Sequence, residues 1–429
     1  MFNLTNSNYN IFFTGVLLGL LTVGHAQPQL RRVLFLGNSY TYVNDLPLLT
    51  AALAHSAGDS LFFDSNAPGG YTLGWQPIAH ATNPVSLEKI RQQPWDFVVL
   101  QDQSQLPSIP ALRDSCMFPA SGILKDSIVA SNACTQLLFF LTWGRRFGGM
   151  QCFTPNYCSE NFTGFGHMQD SLTRAYKLVA DSVGGWIAPV GEAWRLVIDE
   201  SGMVLHDGDN SHPNLRGSYL AACVFYASIF RKPSEGLAFT AGLQADTALL
   251  LQRAADSVVF SWSSVWNLWA NLPEAGFVLS ANANTLFTIN TSLNTTKWRW
   301  DFGDGNTSAA FEPVHIYQSA GNYTVTLIAC DSCHCDTVTD QVSVAVSAEN
   351  DLPDKDRVRL TSPGPDGMIR CIHCPPDGLL ILTDLSGKIL LLRQMEVDAV
   401  RVPDLRSGWY LWSVTGPGSK RSGGWIEIH

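Results

Sequence analysis

The sequence predicts an α/β fold with a parallel sheet over residues 30–272, followed by two small all-β sandwiches. Two patterns carry this expectation. As far as Trp269, short and nearly all-apolar segments alternate with longer helical stretches, as expected of parallel strands buried on both faces and joined by crossover helices. Beyond Trp269 the texture changes to alternating Thr, Val, Tyr and Phe between Asn and Gly turns, the pattern of antiparallel strands. A length of 429 residues with 46% hydrophobic and 15% charged residues is too long for one ordinary domain and too apolar for a disordered chain, so several globular units are expected.

Taken in order, residues 1–26 hold a polar start, an apolar run at 11–23 and the small-x-small site Gly24-His25-Ala26 before Gln27. This reads as a signal peptide, although its start lacks Lys and Arg; an uncleaved membrane anchor is the other reading of the same run. No other apolar stretch reaches the roughly 18 residues that span a bilayer. Strands are expected at 32–36, 60–65, 97–101, 136–141 and 186–189, and helices at 45–57, 168–182, 214–229 and 247–260. The functional residues of such a sheet belong in the crevice at the carboxyl ends of its strands. A small β-sandwich follows at 274–348, then a polar, acidic linker at 349–356, then a third unit at 357–429 with strands at 379–383, 388–392 and 409–414.

The net charge of -10 is spread along the chain without a basic patch, which argues against a nucleic-acid partner. Ten cysteines in an exported chain are expected to be bridged. Cys152 with Cys158 and Cys116 with Cys134 are the expected pairs, and Cys223, inside an apolar helical pattern, is expected to be a buried thiol. Cys330, Cys333, Cys335, Cys371 and Cys374 include two C-x-x-C spacings, too far apart for a zinc ribbon.

Two segments carry chemistry. In the segment VLFLGNSYT at 33–41, Ser39 stands directly after an apolar strand; at 209–212, Asp209 and His212 are three residues apart before a helix. A serine hydroxyl needs a base within hydrogen-bond reach and an acid to orient that base, and this pair supplies both. A serine at a strand-to-helix turn also aims backbone N–H groups at a developing oxyanion. His206, Asp207, Asp209 and His212 crowd one loop and invite a metal reading, but that would leave the serine segment unexplained, so no metal is expected. His80 and His167 have no evident partners.

Gly37-Asn38-Ser39-Tyr40-Thr41 resembles the first block of SGNH, or GDSL-type, hydrolases, with Asn38 where that family often has Asp. Asp209-x-x-His212 is similar to the last block, and Pro68-Gly69-Gly70-Tyr71-Thr72 resembles the second, whose glycine amide donates to the oxyanion. Gly70 matches better by position, with Gly69 as its neighbour and alternative. The third block normally offers an asparagine after the third strand; the segment VVLQDQSQ at 98–105 has none, and Gln105 or Gln103 is left to donate in its place. The resemblance covers residues 30–270 and implies a flavodoxin-like three-layer sandwich. It also implies Ser39 as nucleophile, His212 as base and Asp209 as its orienting acid. The amides of Ser39 and Gly70, with Gln105 or Gln103, would hold the oxyanion.

Trp143 and Arg145, just past the 136–141 strand, are candidate substrate-binding residues, since an aromatic ring and a guanidinium there can stack on a sugar or bond an acid group. The alternative is that Trp143 fills the core and Arg145 pairs with a surface carboxylate. The stretch at 147–166, rich in Gly, Asn and Phe, reads as a cleft loop pinned by Cys152 and Cys158. Trp298-Arg-Trp-Asp-Phe-Gly-Asp-Gly305 with His315-Ile-Tyr317 resembles a PKD domain, in which Asp301 to Gly305 would serve a tight turn. Asp384-Leu-Ser-Gly-Lys388 and Leu405-Arg-Ser-Gly-Trp-Tyr-Leu411 resemble the C-terminal sorting domain of the type IX secretion system of Bacteroidota. Together these resemblances imply a secreted or cell-surface serine esterase acting on carboxylic esters, O-acetyl groups on carbohydrate among them. They imply no cofactor, and the type IX machinery as a partner. A non-catalytic surface glycan-binding protein is the alternative.

Overall fold

The computed structural model describes residues 28–345 and, beyond them, strand segments between 359 and 428; the expected signal peptide at 1–26 and linker at 349–356 lie outside the described residues. Strands β1 (Leu30–Leu36), β2 (Ser60–Asn66), β3 (Phe97–Leu100) and β4 (Gln136–Phe140) come first. The hairpin strands β5 (Gly149–Thr154) and β6 (Tyr157–Phe162) follow, then β7 (Trp186–Ala188). The main sheet has the order β2-β1-β3-β4-β7 and every pairing in it is parallel. The α/β parallel fold is therefore as the sequence predicts, with all five expected strands present. The order changes direction at β1, so the loops after β1 and β3 open a crevice at the carboxyl edge.

The core explains the strand composition. Val33, Leu34, Phe35 and Leu36 of β1 and Val98 and Leu100 of β3 are almost fully buried, because helices cover both faces. Helix Leu215–Phe230 is apolar nearly all round, and every residue from Gly217 to Phe230 is buried. Asn214 caps its start by accepting from the Gly217 N–H at 3.2 Å. Helices Pro84–Arg91 and Val190–Ser201 were not expected from the sequence. The second buries Val190, Ala193, Trp194 and Val197, a helical spacing that stands in the sequence.

Two expectations are corrected. The stretch at 147–166 holds the hairpin β5–β6 rather than an irregular loop, with Cys152 and Cys158 facing each other in register and disulfide-bonded. Cys116 and Cys134 do not pair: Cys116 is a free thiol and Cys134 is bonded to Cys333. Helix Phe118–Ser131, with 14 residues, separates the two; at about 1.5 Å per residue it is longer than any disulfide can span. Cys223 is a buried thiol, as expected.

The β region forms two sandwiches. In the first, β8 (Phe277–Asn282), β9 (Thr285–Asn290), β10 (Lys297–Asp301), β11 (Thr307–Ser308), β12 (Val314–Ile316), β13 (Gly321–Cys330) and β14 (Cys335–Val344) make the sheets β11-β10-β13-β14 and β12-β9-β8. Trp300, Phe302, Tyr317, Val325 and Leu327 fill its core. The Cys330–Cys335 disulfide closes the β13–β14 turn, and Cys333 at its tip bonds Cys134, which precedes β4 at the amino edge of the parallel sheet. Arg31, Asp96, Gln136 and Trp186 from the sheet side meet Cys333 and His334 across one cleft. The described strands of the last unit form a three-stranded and a four-stranded antiparallel sheet around Leu380, Leu382, Trp412 and Val414.

Candidate active site

At the end of β1 the chain turns through Gly37 into a single helical turn, Ser39–Tyr42. Asn38 caps that turn, its Oδ1 accepting from the Tyr40 N–H at 3.2 Å. Gly37 is required by space: a Cβ there would lie 2.3 Å from Thr41 Oγ1 and 2.6 Å from Gln101 Oε1. Gln101 clamps the turn. Its Oε1 accepts from Asn38 N and Thr41 Oγ1, both at 2.9 Å, and its Nε2 donates to Asn38 Oδ1 at 2.8 Å. Buried His80 braces it from below, with Nε2 2.8 Å from the Gly37 carbonyl and Nδ1 2.8 Å from Ser86 Oγ. Burial pulls the His80 imidazole down to about 4, so it is neutral, and Nε2 carries the proton it gives to Gly37. Neither brace is legible in the sequence, since each residue lies far along the chain from the turn it holds.

The second segment reaches the same place from the loop before helix Leu215–Phe230. His212 Nε2 lies 2.8 Å from Ser39 Oγ, and His212 Nδ1 lies 2.5 Å from Asp209 Oδ2. The other Asp209 oxygen accepts from the Ser211 and His212 N–H groups, both at 2.9 Å. Partial burial pushes the Asp209 carboxyl up, but the hydrogen bonds from His212 and these two amides outweigh it and hold it at about 2. An ionised Asp209 requires the proton on Nδ1, which leaves the Nε2 lone pair facing the serine hydroxyl. The histidine and aspartate side chains are 36% and 49% exposed, so the site opens to solvent and a substrate can reach it.

A stack of rings holds this loop. Trp143 is fully buried between Tyr40, at 4.4 Å and 5° between planes, and Trp194, at 4.0 Å and 1°. Its Nε1 donates to the Ser211 carbonyl at 2.9 Å, while the Tyr40 hydroxyl meets Ser211 Oγ at 2.8 Å. The expectation that Trp143 stacks on substrate is therefore corrected: its faces are occupied, and it positions the residue before His212. Arg145 stands outside this stack, half-buried, and its Nη2 donates to Ser104 Oγ at 3.0 Å and Gln105 Oε1 at 3.1 Å.

Of the expected oxyanion donors, Ser39 begins the helical turn, where a first-turn N–H has no partner within the helix. Gly70 sits on the exposed turn after β2 with φ of +74°, a conformation that favours glycine. The two glutamines differ. Gln105 is engaged, its Nε2 donating to the Cys152 carbonyl at 2.7 Å and its Oε1 accepting from Arg145. Gln103 has its Oε1 fixed by the N–H groups of Gln105 at 2.9 Å and Leu106 at 3.2 Å, and its Nε2 makes one long contact, 3.4 Å, with Ser104 Oγ. The carboxamide of Gln103 is thus oriented and largely unspent, whereas that of Gln105 is already engaged.

Asp102 ties the second and third loops together: its Oδ1 accepts from Leu73 N at 3.0 Å and Gln103 N at 2.7 Å. Its Oδ2 is buried with no partner among the described residues. Burial pushes this carboxyl up to about 7 against the pull of those two amides. An unfolded aspartate titrates near about 3.9, so between pH 4 and 7 the folded chain keeps a proton that the unfolded chain releases; stability falls as pH rises through that window. Asp102→Asn keeps the Oδ1 acceptor without the charge. It should melt close to the wild type at pH 4 and above it at pH 8, and thermal unfolding at the two pH values with an unchanged difference would refute this.

The remaining candidates lie elsewhere. His206 Nε2 meets the Gly144 carbonyl at 2.9 Å, under the edge of Trp194. His167 contacts Thr163 and Glu160 at the surface. In the first sandwich Asp304 is held by His315 at 2.8 Å and caps Asn306, while Asp301 caps Gly303, so both serve the turn.

Known proteins match two parts of the chain. Residues 277–346 match the PKD domain family. The chain also aligns with the pre-pro-metalloprotease PrtV of Vibrio cholerae serotype O1, 36% identical over 85 residues, which is 19% of this chain. The chain spans only 9% of the length of that curated relative. Solved structures resembling the parallel-sheet part include a DUF4886 family protein from Bacteroides uniformis and a candidate SGNH hydrolase from Slackia heliotrinireducens. The first is 18% identical with a TM-score of 0.45, covering 54% of this chain and 96% of the other. The second is 26% identical with a TM-score of 0.36, covering 46% and 97%.

Proposed function

We propose that the chain is a secreted or cell-surface serine esterase that removes small acyl groups, acetyl foremost, from carbohydrate. The observation that carries this reading is the continuous bond chain Ser39 Oγ, His212 and Asp209, at 2.8 Å and 2.5 Å. Ser39 Oγ attacks the ester carbonyl while His212 Nε2 takes its proton. The tetrahedral oxyanion is met by the amides of Ser39 and Gly70 and by Gln103. As the C–O bond breaks, His212 returns the proton to the departing alcohol, leaving an acyl-serine. Water repeats the sequence, with His212 as base, and releases the acid and free Ser39. A single oxyanion donor typically contributes about 100- to 1000-fold, so glutamine in place of asparagine tunes the rate without abolishing it.

Export is supported by the disulfides Cys134–Cys333, Cys152–Cys158 and Cys330–Cys335 and by the PKD match. No described helix is long and apolar enough to cross a membrane. The layout we propose is a signal peptide at 1–26, a catalytic domain at 27–272, a PKD spacer or weak glycan binder at 274–348, a linker at 349–356 and a type IX sorting domain at 357–429. The test is a fluorophosphonate probe, which reacts only with an activated serine. Mass spectrometry should find the adduct on Ser39, with acetate released from acetylated polysaccharides; an unlabelled Ser39 in folded protein would overturn the proposal.

A further inference from the structure

Arg145 is a cation that the described residues leave unneutralised. Among the described residues Arg145 has no carboxylate within 4.0 Å, unlike Arg113, Arg195 and Arg253, which are paired. Its Nη2 meets two uncharged acceptors instead, Ser104 Oγ and Gln105 Oε1. The nearby Asp209 is already taken by His212. Leaving a half-buried charge without a counter-ion is costly, and the cost is recovered when a ligand brings the opposite charge.

The position suits a substrate group. Arg145 follows β4 and its two partners follow β3, both at the carboxyl edge where Ser39 stands. Its charge is felt at the hydroxyl of Tyr40, the residue after the nucleophile, whose ring lies 5.5 Å from that of His212. The placement is also braced. Gln105 is anchored to the Cys152 carbonyl of hairpin β5–β6, and that hairpin packs Phe153 and Tyr157 against Trp75 at 5.4 Å and 5.6 Å. The guanidinium is therefore held beside a braced hairpin by two uncharged partners, and a planar fork of donors fits a carboxylate.

We infer that Arg145 anchors a carboxylate on the alcohol half of the ester, so that the substrate is an O-acylated sugar acid such as a uronate. The inference rests on the esterase reading for the chemistry, and the acetyl group itself has no atom to carry the charge.

The test compares kcat/KM of the full chain for an O-acetylated methyl galacturonoside and the matching O-acetylated methyl galactoside. A charge-assisted pair predicts a preference for the uronate of about 10- to 100-fold, weakened by salt. Arg145→Gln should bring the ratio near unity, and Arg145→Lys should restore part of it through KM. Equal rates in the wild type, or a preference that survives Arg145→Gln, would overturn the inference. A second arm separates this from failure of the esterase reading. Calorimetry on Ser39→Ala should show galacturonate oligomers binding more tightly than galactose oligomers, with the difference lost in Ser39→Ala/Arg145→Gln. If no acetyl ester is hydrolysed, the esterase reading falls while the binding difference still decides the role of Arg145; equal binding of the two oligomers overturns it.

Discussion

Ser39→Ala is expected to lower turnover of 4-nitrophenyl acetate by a factor on the order of 10⁴ to 10⁶ and to leave the melting temperature nearly unchanged. The size follows from the role: without Oγ no acyl-enzyme forms, and the oxyanion donors alone retain only a modest acceleration. The intact fold follows from the surroundings. The turn is held by Asn38, Gln101 and His80, none of which bonds the Ser39 side chain; its hydroxyl meets His212. Turnover measured beside thermal unfolding decides the matter, and activity within tenfold of the wild type would remove Ser39 from the mechanism.

Asp209→Asn is the second large effect, and it separates orientation from architecture. Asparagine retains a carbonyl oxygen for the Ser211 and His212 N–H groups, so the loop should keep its shape. Its amide nitrogen, however, would face His212 Nδ1 and donate to it, which moves the imidazole proton to Nε2 and takes away the base. A loss in kcat on the order of 10⁴-fold is expected, with KM little altered. Because Asp209 is held at about 2, the wild type keeps this acid ionised throughout the range above about pH 4. The stability contributed by its pairing is fully present above the unfolded value near about 3.9 and is lost as pH falls toward 2. A kcat within tenfold of the wild type would show that Asp209 does not orient the base.

How far the sequence went depended on whether the deciding partner was local. Strands β1, β3 and β4 were legible because burial on both faces writes itself as an unbroken apolar run, and the Asp209–His212 pair was legible because both members belong to one loop. The Ser39 bond to His212 closes over 173 residues, and the sequence supported it only through the order of the blocks. The roles of Gln101 and Asp102 are not legible in the sequence, because Gln101 holds Asn38 from 63 residues away and Asp102 holds Leu73 from 29. For Trp143 the sequence leaves two readings open, because an aromatic residue past a strand end looks the same whether it faces a ligand or, as here, two other rings. The Cys134 pairing is not legible in the sequence, because its partner is 199 residues away in another unit.

That long bridge bears on how the molecule can come apart. It joins the turn of the PKD domain to the amino edge of the parallel sheet, the edge opposite Ser39, so the chain from Cys134 to Cys333 is a covalent ring. The connection at 272–276 lies within this ring. A protease that cuts there opens the ring without releasing either half: the nicked protein would migrate as one species under non-reducing conditions and as two fragments only after a thiol is added. The cleft that holds Ser39 would therefore stay tethered to the PKD domain after proteolysis, on the far side of the sheet from the bridge that holds it.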